Sequence, residues 1–301
     1  MGDKDGRLQL VEAGAHRGEL ARDVLGWLRE RRGELFAQMD YWIVEPSERR
    51  RGWQERTLAE FAGKIHWISH LAELARLPGA KGVRGAIFSN ELLDAMPVHR
   101  LGWDAVRRQW FEWGVKWEGE RFAWTRMPQG DVGWQEWDFG WADLVRNEAL
   151  LAVLPDAFTL EVCPAAVAWW QQAARVLECG KLLTFDYGLR AEDLFVPERK
   201  EGTLRAYHQH QLADDVLAQP GQQDLTAHVN FTTIQAAGEA AGLKTLAFQT
   251  QGQFLTQIAA QVWNSGASFG DWTPTRTRQF QTLTHPEHLG RAFRVLVQGR
   301  E

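Results

Sequence analysis

Apolar residues in the first hundred positions fall into short runs separated by amphipathic stretches. Leu8, Leu10 and Val11 form a run that ends in Glu12, Gly14 and Gly18 follow, and Leu20, Val24 and Leu28 then recur at four-residue steps. Residues 7–25 therefore read as strand, glycine turn and helix. The helix is predicted over 19–32, with Gly33 as its C′ residue. Tyr41-Trp42-Ile43-Val44 reads as a second strand ending in Glu45 and Pro46, and Ser47 suits the N-cap of a helix carrying Trp53, Leu58 and Phe61. Further strands are predicted at 65–69 and 83–89, with a loop closed by Pro78-Gly79 between them. Strands alternating with helices predict a parallel α/β sheet.

Beyond residue 97 the period changes. Trp113, Val115 and Trp117 alternate, Glu118-Gly119-Glu120 turns, and Phe122 and Trp124 alternate again. This predicts a β-hairpin inserted into the α/β core, within an insertion spanning about 98–155. Helix is predicted at 141–154, a short strand at 159–162, and a helix from Pro164 to Gly180. A fifth core strand, 181–185, closes at Asp186-Tyr187-Gly188. Residues 189–225 are polar and weakly periodic, marking a second insertion or functional loop that reaches about 230. Thr232 or Thr233 should cap a helix ending at Ala241-Gly242, and strands at 243–248 and 293–297 complete the pattern. No internal repeat is present.

Composition narrows the function classes. At 301 residues with a net charge of −5, the chain fits a single domain with two insertions. It has no long basic stripe, which argues against nucleic acid. Arg49-Arg50-Arg51 reads as a solvated helix face. No apolar run approaches membrane-span length and the N-terminus has no secretory apolar region, so a cytoplasmic, membrane-free protein is expected. Cys163 and Cys179, joined by helix, would lie roughly 24 Å apart at 1.5 Å per residue, too far to bridge. The nine histidines show no metal-ligand spacing, and no metal is expected. Of sixteen tryptophans, many lie between Trp103 and Trp141, and that cluster is read as packing.

Candidate chemistry gathers where strands end. A glycine turn opening a helix presents backbone N–H groups to a ligand, and Glu12 can accept hydrogen bonds from a ligand amine or hydroxyl. Glu45 ends the second strand, where nucleotide-type folds grip ribose hydroxyls. Asn90-Glu91-Leu92-Leu93-Asp94 places three polar residues after the fourth strand. His99 and His208 could serve as bases, although structural roles fit them better, and Arg205 could hold a carboxylate or pin its own loop. A dinucleotide dehydrogenase would need G-x-G-x-x-G and an acid about 20 residues on. This turn lacks that spacing, and Glu45 lies later.

The motifs VEAGAHRGELA, IVEPS, FSNELLDAMPVH, LLTFDYG, GTLRAYHQH and QQDLTAHVNFT, taken in order, resemble the class I S-adenosylmethionine-dependent methyltransferases. More narrowly they resemble the MidA-like family, which includes a mitochondrial complex I assembly-factor arginine methyltransferase. The resemblance implies a Rossmann-like seven-stranded sheet with helices on both faces, its last strand antiparallel. It also implies S-adenosyl-L-methionine as cofactor and a protein arginine as methyl acceptor. By motif position it assigns Glu12, Gly14, His16 and Gly18 to the cofactor turn and Glu45 to the ribose hydroxyls. Ser69, His70 and Leu71 fall at the adenine edge, and Asn90, Glu91 and Asp94 beside the transferred methyl group. Two departures stand out. The family usually has glycine where this chain has His16, so the imidazole must point away from the ligand or narrow the pocket. The family also has a helical segment before the first strand, and contacts from it are expected to be missing. A degenerate methyltransferase fold acting as an assembly scaffold is the alternative that these departures leave open.

Overall fold

The computed structural model describes residues 7–76, 81–128, 145–209, 211–266 and 270–301. The predicted Pro78-Gly79 loop, His210, and Trp134, Trp137 and Trp141 of the tryptophan cluster lie outside them, as does the start of the helix predicted at 141–154. In chain order the elements begin with β1 (Leu8–Ala13), α1 (Glu19–Arg31), α2 (Gly33–Gln38), β2 (Met39–Val44), α3 (Glu48–Thr57), β3 (Ile65–Ile68) and β4 (Val83–Asn90). Then come β5 (His99–Asp104), β6 (Gln109–Glu118), β7 (Arg121–Arg126), α4 (Glu148–Leu151), β8 (Thr159–Val162), α5 (Pro164–Val176) and β9 (Leu177–Leu189). β10 (Arg205–His208), β11 (Gln211–Ala213), β12 (Asp224–Thr226), β13 (Val229–Asn230), α6 (Phe231–Ala240) and β14 (Lys244–Thr250) follow. The chain closes with α7 (Gln251–Asn264), α8 (Pro274–Thr284), α9 (Leu289–Ala292) and β15 (Phe293–Arg300).

Two compact units result. The first comprises Met1–Leu92, Trp170–Asp186 and Gly238–Glu301, and the second comprises Leu93–Trp169 and Tyr187–Ala237. The insertions read at 98–155 and 189–230 fall in the second.

The first unit holds a sheet in the order β14-β15-β9-β4-β1-β2-β3. β3, β2, β1, β4 and β9 pair in parallel, while β14 and β15 pair antiparallel. This is the α/β class that the pattern predicted. The sheet counts eight strands instead of seven because the two-residue β13 pairs with Gly188 and Leu189 of β9 in the second unit. Ala21, Leu25, Met39, Tyr41, Ile43 and Leu58 pack as one buried cluster, which explains why alternate positions of β2 are apolar.

Two boundaries differ from the sequence reading. Gly33 opens α2 instead of closing α1, because the backbone break falls one residue earlier, at Arg32 (φ −143°, ψ 52°). The helix predicted to reach Gly180 ends at Val176. Leu177, Cys179 and Gly180 instead pair with Val83, Arg84 and Gly85, so sheet pairing overrides helical periodicity. The segment between the cysteines is thus helix and then strand, and neither cysteine is in a disulfide.

The second unit carries the antiparallel sheet β7-β6-β5-β8 and the small sheet β11-β10-β12. β6 and β7 form the predicted hairpin. Its two loop residues, Gly119 and Glu120, have φ of 52° and 71°, the left-handed pair of a type I′ turn. Trp103, Trp110, Phe158, Leu160 and Leu194 share a buried cluster, and Trp110 Nε1 donates to the Val145 carbonyl at 3.1 Å. Among the described residues of 145–154, Val145 and α4 are helical. At α6 the cap is Asn230, not a threonine: its Oδ1 accepts from Thr232 N at 3.1 Å and Thr233 N at 3.3 Å.

Two glycines set how closely the central strands approach. Gly85 (φ 147°) would drive a Cβ into the Gln9 carbonyl oxygen, and Gly180 (φ 125°) would drive one into the Gly85 carbonyl oxygen. Both φ values are also ones that L-residues rarely adopt. Gly85→Ala should therefore cost roughly 1–3 kcal/mol or more, read as a lower midpoint in urea unfolding.

Candidate functional site

From β1 the chain steps outward through β2 to β3, whereas β4 lies on the other side of β1 and leads to β9. Strand order therefore reverses between β1 and β4, and a crevice beyond the carboxyl ends of the strands at such a switch point is where open α/β sheets bind ligands. Ala13 pairs with both Val44 and Ser89, and Val44 pairs with Ile68. Gly14, Glu45, Ser69 and Glu91 thus leave the sheet at one edge.

The turn after β1 is left-handed three times, with φ of 81° at Gly14, 45° at His16 and 85° at Gly18. Gly18 N donates to the Ala15 carbonyl at 2.6 Å, and Gly18 is the N-cap of α1 with no side-chain cap bond. The first N–H groups of α1 are therefore left for solvent or a ligand. His16 is exposed, and its ring stands edge-on to Trp53, centroids 6.3 Å apart. Gly14 lies against Leu92, since a Cβ there would come 3.2 Å from Leu92 Cδ1.

Glu45 is 2% exposed. Its Oε1 accepts from Ser47 N at 2.9 Å and its Oε2 from Gln54 Nε2 at 3.3 Å. A carboxylate has about four acceptor positions, so two remain for ligand hydroxyls. Gln54, fully buried, also donates to the His16 carbonyl at 3.1 Å and accepts from Trp67 Nε1 at 2.9 Å. One turn earlier, Arg51 donates to the Glu45 carbonyl at 2.7 Å and to Ser69 Oγ at 2.8 Å. Of the arginine run, only Arg49 and Arg50 are exposed, so the solvated-face reading fails at Arg51, which turns inward to bind strand ends. Neither Arg51 nor Gln54 reads as a site residue from sequence, because a polar residue among charged ones in a helix carries no apolar pattern.

Ser69 N and His70 N both donate to Glu73 Oε1, at 2.9 and 2.8 Å. Leu71 is 1% exposed, so its side chain belongs to the core and only its backbone is near the edge. Asn90 and Glu91 are exposed. Glu91 has φ 47°, its N–H donates to the Phe185 carbonyl at 3.0 Å, and Asn90 Nδ2 donates to Glu91 Oε1 at 3.3 Å. No helical turn joins Glu91 to Asp94. Asp94 belongs to the second unit and is 4% exposed. In β4, Ser89 Oγ donates to Thr184 Oγ1 of β9 at 2.9 Å, both residues fully buried, and Asp186 within β9 is buried as well.

The other candidates have structural partners in the second unit. His208 Nδ1 lies 2.9 Å from the Gln222 carbonyl, and Arg205 donates to the Leu204 carbonyl at 2.8 Å. His99 Nδ1 lies 2.7 Å from Glu112 Oε1.

Glu12 sits at the end of β1, 4% exposed, and its Oε2 accepts from Tyr41 Oη at 2.7 Å. Burial raises its carboxyl pKa from 4.5 to about 7, against the opposing hydrogen bond from Tyr41. Burial and the adjacent carboxylate push the Tyr41 phenol well above its usual range, so it stays protonated and donates.

A family model described as "Putative S-adenosyl-L-methionine-dependent methyltransferase" matches residues 1–249. The chain belongs to this family. Its cofactor is S-adenosyl-L-methionine, and the left-handed turn, the uncapped start of α1 and the spare acceptor positions of Glu45 fit that group. The methyltransferase is 29% identical over 96% of its length to the mitochondrial protein arginine methyltransferase NDUFAF7 homolog of Drosophila melanogaster, spanning 67% of that protein. Over 45% of its length it is 32% identical to mitochondrial protein arginine methyltransferase NDUFAF7 of Xenopus laevis, where the match spans 30%. A crystal structure from Burkholderia thailandensis bound to S-adenosyl-homocysteine superposes with a TM-score of 0.77 at 27% identity, covering 98% of this chain and 72% of that one.

The fly and frog proteins are named as mitochondrial, which overturns the cytoplasmic expectation. That expectation rested on the missing secretory apolar stretch, whereas mitochondrial targeting uses amphipathic, arginine- and serine-rich segments. Among the described residues, no helix is long and apolar enough to cross a membrane.

The raised Glu12 pKa gives the methyltransferase a pH-dependent stability. The folded protein holds this proton more tightly than the unfolded chain does. The contribution is therefore full below about pH 4.5 and is lost as pH rises through about 7. The difference is on the order of 3 kcal/mol. Glu12→Gln keeps a neutral partner for Tyr41, so its unfolding midpoint should change much less than wild type between pH 5 and 8. It should be the more stable protein at pH 8. Parallel pH profiles of the two proteins would show Glu12 not to be the titrating group.

Proposed function

We propose that the methyltransferase transfers the methyl group of S-adenosylmethionine to a nitrogen of a protein arginine side chain. The names of the fly and frog relatives support the acceptor. The observation that carries the reading is the backbone at the switch point, where Gly14, His16 and Gly18 after β1 and Glu91 after β4 take left-handed conformations. Strain of that kind persists where the surroundings hold it and clusters at ligand sites.

When bound, the cofactor supplies a methyl group already activated on a sulfonium. The chain's own residues then need only bind, orient and screen. In this reading Gly14, His16 and Gly18 shape the backbone against the cofactor, and Glu45 takes its ribose hydroxyls. Glu12 lies beneath the turn, and Ser69, His70 and Leu71 flank the adenine. Asn90, Glu91 and Asp94 serve the acceptor, with Glu91 the carboxylate that faces it. A carboxylate suits a guanidinium because paired, planar hydrogen bonds fix the attacking nitrogen. The single-domain reading with two insertions belongs to this proposal.

The direct test is incubation of the protein with labelled S-adenosylmethionine and whole-cell lysate. Label should enter protein and be recovered as methylarginine. Cofactor binding without label uptake would favour an assembly scaffold. Two substitutions separate the roles. Glu45→Ala should weaken cofactor binding by roughly 1–3 kcal/mol, the scale for a lost hydrogen bond to a charged group, and calorimetry showing unchanged affinity would remove Glu45 from the site. Glu91→Gln should leave cofactor affinity within about threefold yet lower transfer by about 10²-fold, as lost orientation of the acceptor would. Full activity in that variant would rule out the role.

A further inference from the structure

The second unit contains a cavity of about 440 Å³, lined among others by Asp94, Met96, Val98, Glu112, Trp113 and Trp124. Its walls are apolar and aromatic, but two carboxylates interrupt them. The Asp94 residue is 4% exposed and the Glu112 side chain 12%. Glu112 Oε1 lies 2.7 Å from His99 Nδ1, while Oε2 is buried with no hydrogen-bond partner among the described residues. A carboxylate oxygen in that state is costly unless a donor reaches it.

One cation, Arg100, also lines the cavity, but it is already engaged. Its Nε is 3.1 Å from Glu161 Oε1, its Nη2 donates to the Glu201 carbonyl at 2.7 Å, and its guanidinium stacks 4.4 Å over Trp124. Glu161 offsets its charge, so Arg100 is not available to neutralise Glu112. Aromatic faces beside carboxylates favour a flat, weakly hydrated cation. The same carboxylates repel phosphate and carboxylate ligands. The described residues contain no cluster of three metal-ligating side chains.

We propose that this cavity is a binding pocket for the guanidinium of a peptide-bound arginine, with Glu112 the residue that selects for its charge. The proposal rests on the arginine reading above and deepens it, by naming a recognition residue outside the strand-end motifs. Trp113 and Trp124 line the cavity beside Glu112. His99 holds Glu112 in place through Oε1 and leaves Oε2 for the ligand.

The test uses the full chain and two small probes, Nα-acetyl-arginine amide and its neutral isostere Nα-acetyl-citrulline amide, with binding followed by ligand-observed NMR. Wild type should bind the arginine probe at least about tenfold more tightly than the citrulline probe, as expected when a charged donor is exchanged for a neutral one. Glu112→Gln should bring the two within about threefold while cofactor affinity measured by calorimetry stays unchanged. Ala95→Trp, at an exposed lining position, should weaken both probes by obstructing the cavity, and it serves if Glu112→Gln does not fold. Equal binding of the two probes by wild type overturns the proposal, as does undiminished discrimination in folded Glu112→Gln or undiminished binding in folded Ala95→Trp. Free arginine tested beside the amide shows whether the capped backbone is required, and tighter binding of the free amino acid would overturn the peptide-bound form. The two readings fail separately. Methylarginine formed in lysate by a protein that does not discriminate the probes keeps the reaction and overturns this pocket. Discrimination without label uptake keeps the pocket and overturns the reaction.

Discussion

The first unit's candidate site depends on one side-chain amide. Gln54 Nε2 donates to the His16 carbonyl and to Glu45 Oε2, and its Oε1 accepts from Trp67 Nε1. The amide joins the turn after β1, the acid after β2 and a residue of β3. Its orientation is fixed, because the reversed amide would set its oxygen against two acceptors and its NH₂ against an indole N–H. Arg51, one turn away on the same helix, ties the Glu45 carbonyl to Ser69. α3 is thus held less by an apolar stripe than by polar bonds to the strand ends. Such a network is strong when every member is satisfied and costly when one is lost. The geometry of three loops is thereby tied to a single helix turn.

The two buried acids at this edge are held in different ways. Glu45 is met by a backbone N–H and an amide, donors that suit an anion poised to take hydroxyls. Glu12 accepts from the Tyr41 hydroxyl, and burial raises its pKa to about 7. Near neutral pH it is therefore divided between a neutral acid and an anion. A cation brought close would favour the anion and release a proton, so binding at the turn and the charge of β1's last acid are linked.

The fold was legible where one principle ruled. Strand–turn–helix alternation located β1 to β4, and the alternation of tryptophans about Gly119 located the β6–β7 hairpin. It failed where tertiary pairing competed with local preference. Leu177 to Gly180 continue a helical pattern, yet they complete β9 because Val83 to Gly85 are there to pair with them. The site divided along similar lines. Gly14, Gly18, Glu45 and Asn90 are readable because position at a strand end is a sequence property. Gln54, Arg51 and Tyr41 are not, because their roles exist only once distant strands lie side by side. Glu112 was invisible for the same reason: on β6 it reads as one acid in an exposed hairpin, and only folding buries its second oxygen.

His16 and Glu91 show how two non-glycine residues in left-handed backbone can differ. His16 stands where the resembled family has glycine, and its conformation is supported from outside. Its carbonyl is held by Gln54 and its ring rests edge-on against Trp53, whose ring also takes Arg17 and Arg49. The imidazole is accommodated by packing that the turn would need anyway. Glu91 has less support, with one backbone bond to Phe185 and an exposed contact with Asn90. Glycine would adopt its φ of 47° without the penalty of roughly 1–2 kcal/mol that an L-residue carries. A carboxylate where glycine would fit more easily, at the open end of a central strand, has only the exposed contact with Asn90 to hold it. On the proposed reading, that is the reason for giving the acceptor role to Glu91 before its neighbours.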